Sequence, residues 1–423
     1  MMISNIHHEA YVWIWLPGST EPVVAGKLER DGEDTVFAYG RQYLERQDAI
    51  AVYPQELPLK GGVQHPISGL RIPGCIRDCA PDAWGRRVII NRLMGVEKSG
   101  VDVVDLSELT YLMESGSDRV GALDFQASPT EYIPRQSRGA ALEELLESAE
   151  RVEKGVPLSP DLDQALFHGS AIGGARPKAL IETDNTKYLA KFSTRNDHYD
   201  VVKAEFIAMK LAGIVGLNVA PVKLVTASGK DILLVERFDR LRSNEGWQRK
   251  IMISALTLFG LDDMMARYAS YETLAEIIRT RFSKPEETLH ELFSRLVFNI
   301  LTGNTDDHAR NHAAFWDGRS LSLTPAYDIC PQGRAGGEAS QAMLISGENN
   351  LSRLAHCLGV AHHYLLNKEQ AHAIIDHQKI TIESHWQGVC DVADLSEVGR
   401  RYLWRRQFLN PYAFEGLGKD ADV

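Results

Sequence analysis

The sequence predicts an α+β protein in three parts: a front α/β subdomain, a small β-rich lobe and a larger, mainly α-helical lobe. Three observations carry that expectation. Residues 1–60 alternate aromatic and β-branched runs with turns, as in YVWIWL (11–16) and TVFAYG (35–40) around RDGED (30–34). Residues 178–238 hold four strand-like runs and one helix, and from about residue 240 the apolar spacing turns mostly helical. A chain of 423 residues, 44% hydrophobic and 24% charged, can bury more than one core.

Taken in order, the elements follow from local chemistry. Residues 68–95 begin as loop and then enter a helix at Pro81-Asp82, with Trp84, Val88, Ile89 and Leu93 on one face. AALEELLESAERVE (140–153) is a second amphipathic helix, ended by KGVPLSPD (154–161). The first boundary therefore falls between 135 and 160, and the expected domains are 1–135, 136–238 and 239–423. KALIE (178–182) and KYLAKF (187–192) are strands joined by a polar turn. Residues 200–215 form a helix stopped by Gly216. APVKLVTA (220–227) and DILLVERF (231–238) are strands around Ser228-Gly229-Lys230. Helices are expected at 273–282 and 286–302. HAAFWDGRSLSLTPAYDI (312–329) reads as a hairpin turning at Asp317-Gly318, with His312 opening its first strand.

Bulk properties exclude several classes. The formal net charge of −11 makes the chain a poor stand-alone nucleic-acid binder, since phosphate neutralisation needs a basic surface. The apolar run 11–16 is too short for a signal peptide, and no run approaches the roughly 20 residues of a membrane helix. Cys75, Cys79, Cys330, Cys357 and Cys390 are scattered, with no second close pair to complete a zinc site. They read as free thiols, and the expected location is the cytoplasm.

The stretch GNTDDHARNH (303–312) packs two carboxylates, two imidazoles, an Arg and two amides between apolar runs. Asp306 and Asn311 are five residues apart, and Asp328 follows at the end of the hairpin. This is the polar skeleton of a protein-kinase-type site. An Asp takes the proton of the attacking hydroxyl, and an Asn and a second Asp supply hard oxygen ligands for Mg²⁺. The same stretch also reads as a polar turn, and D-x4-N alone does not separate the two.

Three further features occur in the order a kinase requires. GSAIGGARPKA (169–179) is Gly-rich and precedes a strand, although Ala175 stands where a Walker A motif needs Lys. Lys191 lies on the next strand, between Ala190 and Phe192. On the helix that follows, Glu205 is the one charge on a face of Val201, Ala204, Ala208, Leu211, Ala212 and Val215, so it calls for a cation, and Lys191 is the natural candidate. LLVERFD (233–239) then leads into the helical lobe where a hinge would offer backbone groups to adenine. The expected architecture is thus a two-lobed protein-kinase-like fold.

At this point the chain resembles the HipA-like serine/threonine kinases of bacterial toxin–antitoxin systems. The resemblance rests on GGARPKA (173–179), VERFDR (235–240), TDDHARNHAAF (305–315), LTPAYDICP (323–331), PDAWGRR (81–87) and QAMLISGENNLSRL (341–354). It implies Asp306 as catalytic Asp, with Lys191 and Glu205 in support, and Asn311 and Asp328 as metal ligands. It implies an ATP site lined by Gly173, Gly174, Ala175, Arg176, Pro177, Lys178, Lys191, Glu236, Arg237, Phe238, His308, Ala309, Arg310, Asn311, Tyr327 and Asp328. It implies ATP and Mg²⁺ as cofactors and a protein Ser or Thr as acceptor, aminoacyl-tRNA synthetases being one substrate class. It also implies a small helix-turn-helix antitoxin, HipB-like, that would supply the operator-DNA contacts this acidic chain lacks. Two copies would meet only through that antitoxin. Relatives autophosphorylate a Gly-loop Ser; here Ala171 holds that position and Ser170 is the neighbouring candidate. KIMISALTLFGLD (250–262) replaces the acidic, Gln-containing segment after the hinge.

Other readings of the same residues are a small-molecule kinase, a pseudokinase co-repressor, and a metal-dependent hydrolase using Asp306, Asp307, His308 and His312.

Overall fold

A computed structural model describes residues 7–94, 106–135, 140–156, 158, 176–183, 185–194, 197–334 and 336–417. The α+β expectation holds. The chain divides into two compact units. The first comprises residues 1–194, 225–253 and 315–319, and the second 195–224, 254–314 and 320–423.

The first unit opens with an antiparallel sheet ordered β4-β3-β2-β1-β5. Its strands are β1 (Glu9–Ile14), β2 (Val23–Asp31), β3 (Asp34–Tyr39), β4 (Val63–Gln64) and β5 (Leu123–Gln126). The aromatic and β-branched residues of the early runs fill its core, with Val12, Ile14 and Phe37 fully buried.

A second sheet has the order β6-β7-β9-β8, from β6 (Lys178–Glu182), β7 (Lys187–Phe192), β8 (Val222–Ala227) and β9 (Lys230–Glu236). The chain passes from the second unit into the first within β8. Strand alternation sorts the side chains of this sheet. Ala179, Tyr188, Ala190, Phe192, Ile232 and Leu234 share one core with Trp84 and Val88 of the helix Ala83–Met94 and with Leu145, Leu146, Ala149 and Val152 of the helix Leu142–Glu153. The alternate residues Lys187, Leu189 and Lys191 therefore lie on the opposite face.

The expectation of helix from about 240 fails at its start. Three strands come first: β10 (Arg240–Ser243), β11 (Gly246–Arg249) and β12 (Ile251–Ser254). Gly246, at φ 142, supplies a turn that a side chain rarely adopts. Arg240 is drawn into a buried ion cluster that outweighs local propensity. Asp118 pairs with Arg237 and Arg240, both at 2.9 Å, and with Lys187 at 2.6 Å. Asp239 pairs with Arg237 at 2.8 Å and Arg240 at 2.9 Å, and accepts from the Gly121 amide at 2.9 Å. Burial would raise the Asp239 carboxyl, but the two guanidiniums bring it down to about 2.

The second unit is built on the helices Val201–Ile214, Tyr271–Arg281, Pro285–Thr302 and Lys368–Val392. Asp200 and Ser270 cap the first two by accepting backbone amides, and Pro285 opens the third. The hairpin strands β13 (Ala313–Trp316) and β14 (Leu321–Leu323) flank Asp317-Gly318 as expected. His312 lies outside β13, which begins at Ala313. Among the described residues the five cysteines are buried free thiols, and no helix is long and apolar enough to cross a membrane.

Candidate active site

The helix Pro285–Thr302 delivers the polar stretch to its place. It stops at Gly303, in the left-handed region at φ 67, ψ 26. A Cβ there would sit 2.7 Å from the Gln407 carbonyl oxygen, so backbone conformation and space both demand glycine. Gly303→Ala is expected to cost about 1–3 kcal/mol, read as a lowered denaturation midpoint. Beyond the helix, the Gly303 carbonyl accepts from the Gln332 amide at 2.9 Å and the Thr305 carbonyl from the Ala342 amide at 3.0 Å. The loop is thereby stitched to two distant segments.

Asp306 and Asn311 then meet across one tight turn. The His308 amide donates to the Asp306 carbonyl at 2.9 Å, and the Asn311 amide to the His308 carbonyl at 2.8 Å. Asn311 Nδ2 donates to the Asp306 carbonyl at 3.1 Å, which orients the side-chain amide and presents Oδ1 as an acceptor. Asp328 sits at φ 59, a strained conformation for a non-glycine residue and one that clusters at functional sites. Its neighbour Tyr327 donates its hydroxyl to the Arg310 carbonyl at 2.6 Å, tying the Asp328 segment to the turn. The Asp306 side chain reaches solvent at the crest of the loop. Partial desolvation and the carboxylates of Asp328 and Asp307 raise its pKa, against the opposing charge of His308. Asn311 is thus bonded to the Asp306 backbone, and the Asp328 carboxylate lies close enough to act on the Asp306 carboxyl; all three side chains carry hard oxygen atoms. Arg310 pairs with Asp263 at 2.6 Å, and Ala309 is buried.

Asp307 and His312, without a role in the kinase reading of the sequence, form a second layer beneath. Asp307 is 2% and His312 3% exposed, and their side chains pair at 3.0 Å. The fully buried Tyr271 donates its hydroxyl to Asp307. Asn299 Nδ2 reaches that hydroxyl at 3.4 Å, and Asn304 Nδ2 donates to Asn299 Oδ1 at 3.0 Å. Burial alone would raise the Asp307 carboxyl, but His312 and Tyr271 hold it below its ordinary value. The same burial, with the Asp307 charge, pushes the Tyr271 hydroxyl well above its usual range. These contacts also dismantle the hydrolase reading, because Asp307 and His312 are spent on each other inside the protein. Among the described residues no group of three or more His, Cys, Asp or Glu side chains is placed to hold a metal ion. The sequence did carry a hint: Asp307 and His312 repeat the five-residue spacing of Asp306 and Asn311, one residue later.

In the first unit, Lys178 and Lys191 are directly opposed across β6 and β7, and both are buried. Directly opposed residues share a face, so two ammonium groups concentrate on the side of the sheet away from its helix-packed core. Pro177 accepts from the Phe192 amide through its carbonyl at 3.1 Å, with Arg176 just before it. Glu236 ends β9. The Arg237 amide donates to the Lys187 carbonyl at 2.9 Å, and its guanidinium is committed to Asp118 and Asp239. Phe238 packs edge-on against Phe315. In the second unit, Glu205 is buried at 3% exposure on the helix Val201–Ile214. Ser170, Ala171, Gly173, Gly174 and Ala175 lie outside the described residues.

Comparison with known proteins adds lineage to this geometry. A family model described as the HipA-like C-terminal domain matches residues 170–386, more than half of the chain, and one described as the HipA N-terminal domain matches residues 15–126. The serine/threonine-protein kinase toxin HipA of Shewanella oneidensis is 27% identical over 340 residues, covering 73% of this chain and 72% of that protein. Y4mE of Sinorhizobium fredii is 24% identical over 340 residues, covering 75% and 76%. Among solved structures, a chain of the Shewanella oneidensis complex of HipA, HipB and operator DNA superposes with a TM-score of 0.67 at 19% identity, covering 94% of this chain and 95% of that one.

Proposed function

The chain belongs to the HipA family, and from that premise we propose that it is an ATP- and Mg²⁺-dependent serine/threonine protein kinase, the toxin of a toxin–antitoxin pair. The observation that supports the reading is the bond of Asn311 to the Asp306 backbone at 3.1 Å, with the Asp328 carboxylate acting on Asp306. In this reading Asp306 orients the acceptor hydroxyl and takes its proton as that oxygen bonds to the γ-phosphorus of ATP and ADP departs. Asn311 and Asp328 would hold Mg²⁺, which when bound offsets the phosphate charge. Lys178 and Lys191, paired across one sheet face, suit the phosphates.

The acceptor is a protein Ser or Thr, with the translation machinery, aminoacyl-tRNA synthetases included, as the expected target. The DNA-reading partner is a helix-turn-helix antitoxin, since the chain's net charge of −11 disfavours DNA on its own. HipB and operator DNA accompany HipA in the Shewanella oneidensis complex, which supports that expectation.

Incubation with γ-labelled ATP, Mg²⁺ and host lysate tests the reading. Label in a protein is the expected result. Label confined to a small metabolite would make the chain a small-molecule kinase, and nucleotide binding without transfer would make it a co-repressor scaffold. Lys191→Ala and Glu205→Ala are each expected to lower the transfer rate by about 10-fold or more. Full activity in Glu205→Ala would remove that residue from the machinery.

A further inference from the structure

The two layers of the 306–312 turn interlock residue by residue. Asp307 follows the proposed base Asp306, and His312 follows the proposed metal ligand Asn311. The upper layer is closed by one hydrogen bond, Asn311 to the Asp306 carbonyl at 3.1 Å. The lower layer is closed by a side-chain contact, His312 Nε2 to Asp307 Oδ1 at 3.0 Å, inside the protein. A fixed distance between Asp307 and His312 therefore fixes the distance between Asp306 and Asn311.

That lower clamp is anchored on elements outside the turn. Tyr271, the first residue of the helix Tyr271–Arg281, donates its hydroxyl to Asp307. Asn299, on the helix Pro285–Thr302, bonds the same hydroxyl at 3.4 Å. The His312 carbonyl accepts from the Ala255 amide at 2.8 Å. The upper residues have one mutual bond between them, whereas the lower pair is bonded from two other segments, with Asn299 backing Tyr271.

We propose that Asp307, His312 and Tyr271 are positioning residues for phosphoryl transfer: a buried Asp–His–Tyr clamp that sets the separation of Asp306 and Asn311 without touching substrate. The proposal rests on the kinase reading given above. Groups that orient a metal ligand or a base change affinity or rate by about 10–100-fold when removed, and a misplacement of about 1 Å costs about 100-fold in rate.

The test uses the full chain and four variants: Tyr271→Phe, Asp307→Asn, His312→Gln and His312→Ala. Tyr271→Phe removes one oxygen and keeps the ring, so folding is retained. Gln places an amide nitrogen near the position of Nε2 and can still donate to Asp307. Expected are a fall in kcat of about 10-fold in Tyr271→Phe and about 100-fold in Asp307→Asn, with KM for ATP within about twofold of wild type. His312→Gln should recover most of the rate lost in His312→Ala. The Mg²⁺ concentration for half-activation should rise in Asp307→Asn, a shift that a purely structural role would not produce. Folded Asp307→Asn and Tyr271→Phe with unchanged kcat and unchanged Mg²⁺ requirement would overturn the clamp. So would a loss in His312→Gln equal to that in His312→Ala. If the wild-type chain transfers no phosphate, the kinase reading fails on its own. The clamp is then decided by calorimetric titration of Mg²⁺ into the ATP-saturated chain: weaker Mg²⁺ binding in Asp307→Asn than in wild type supports it, and equal binding rejects it.

Discussion

Asp306→Asn is expected to lower phosphoryl transfer by about 10²–10⁴-fold, the range for removing a general base, while ATP binding persists. The substitution is close to isosteric, and the loop survives it. The bonds that hold the turn, from the His308 amide and from Asn311 Nδ2, go to the Asp306 backbone carbonyl and not to its carboxylate. What disappears is a carboxylate able to take a proton. An amide cannot do so, and its dipole orients the acceptor hydroxyl less strongly. Steady-state rates and nucleotide affinity, measured on the same preparation, check this. A residual rate within tenfold of wild type would exclude Asp306 as the base.

Asp118→Ala is expected to cost about 3–5 kcal/mol of stability, the penalty for leaving buried charge uncompensated. Asp118 serves Arg237, Arg240 and Lys187 at once, and only Asp239 would remain against the two guanidiniums. The expected result is a large drop in the denaturation midpoint of the full chain. A change under about 1 kcal/mol, the range of exposed pairs, would contradict it. The same cluster sets an acid limit. The Asp239 carboxyl falls from 3.8 to about 2 on folding, so it stabilises the native state above the unfolded value. That contribution is lost as pH falls from about 4 towards 2, and Asp239→Asn should flatten the stability profile in that window.

What the sequence made legible was what local chemistry decides. Strands 178–192 followed from alternation, the helix Val201–Ile214 from its apolar face and Gly216, and the hairpin after the polar turn from Asp317-Gly318. What stayed hidden depends on partners far along the chain. The Asp307 side chain is held by Tyr271, 36 residues earlier. Arg237 reads as part of a hinge, yet its guanidinium finds Asp118, 119 residues earlier. The strands at 240–254 escaped because Arg240 is held by long-range charge and not by an apolar repeat. Buried ion pairs and polar networks leave no period in a sequence, whereas amphipathic helices and alternating strands do.

In the proposed reading Asp306, Asn311 and Asp328 form one phosphoryl-transfer centre aimed at a protein hydroxyl. Its most direct test is phosphoamino-acid analysis of protein labelled by the full chain with γ-labelled ATP and Mg²⁺, run beside Asp306→Asn. The prediction is phosphoserine or phosphothreonine in a host protein, absent with the variant. Equal labelling by the variant, or ATP turnover that labels no protein, would contradict it.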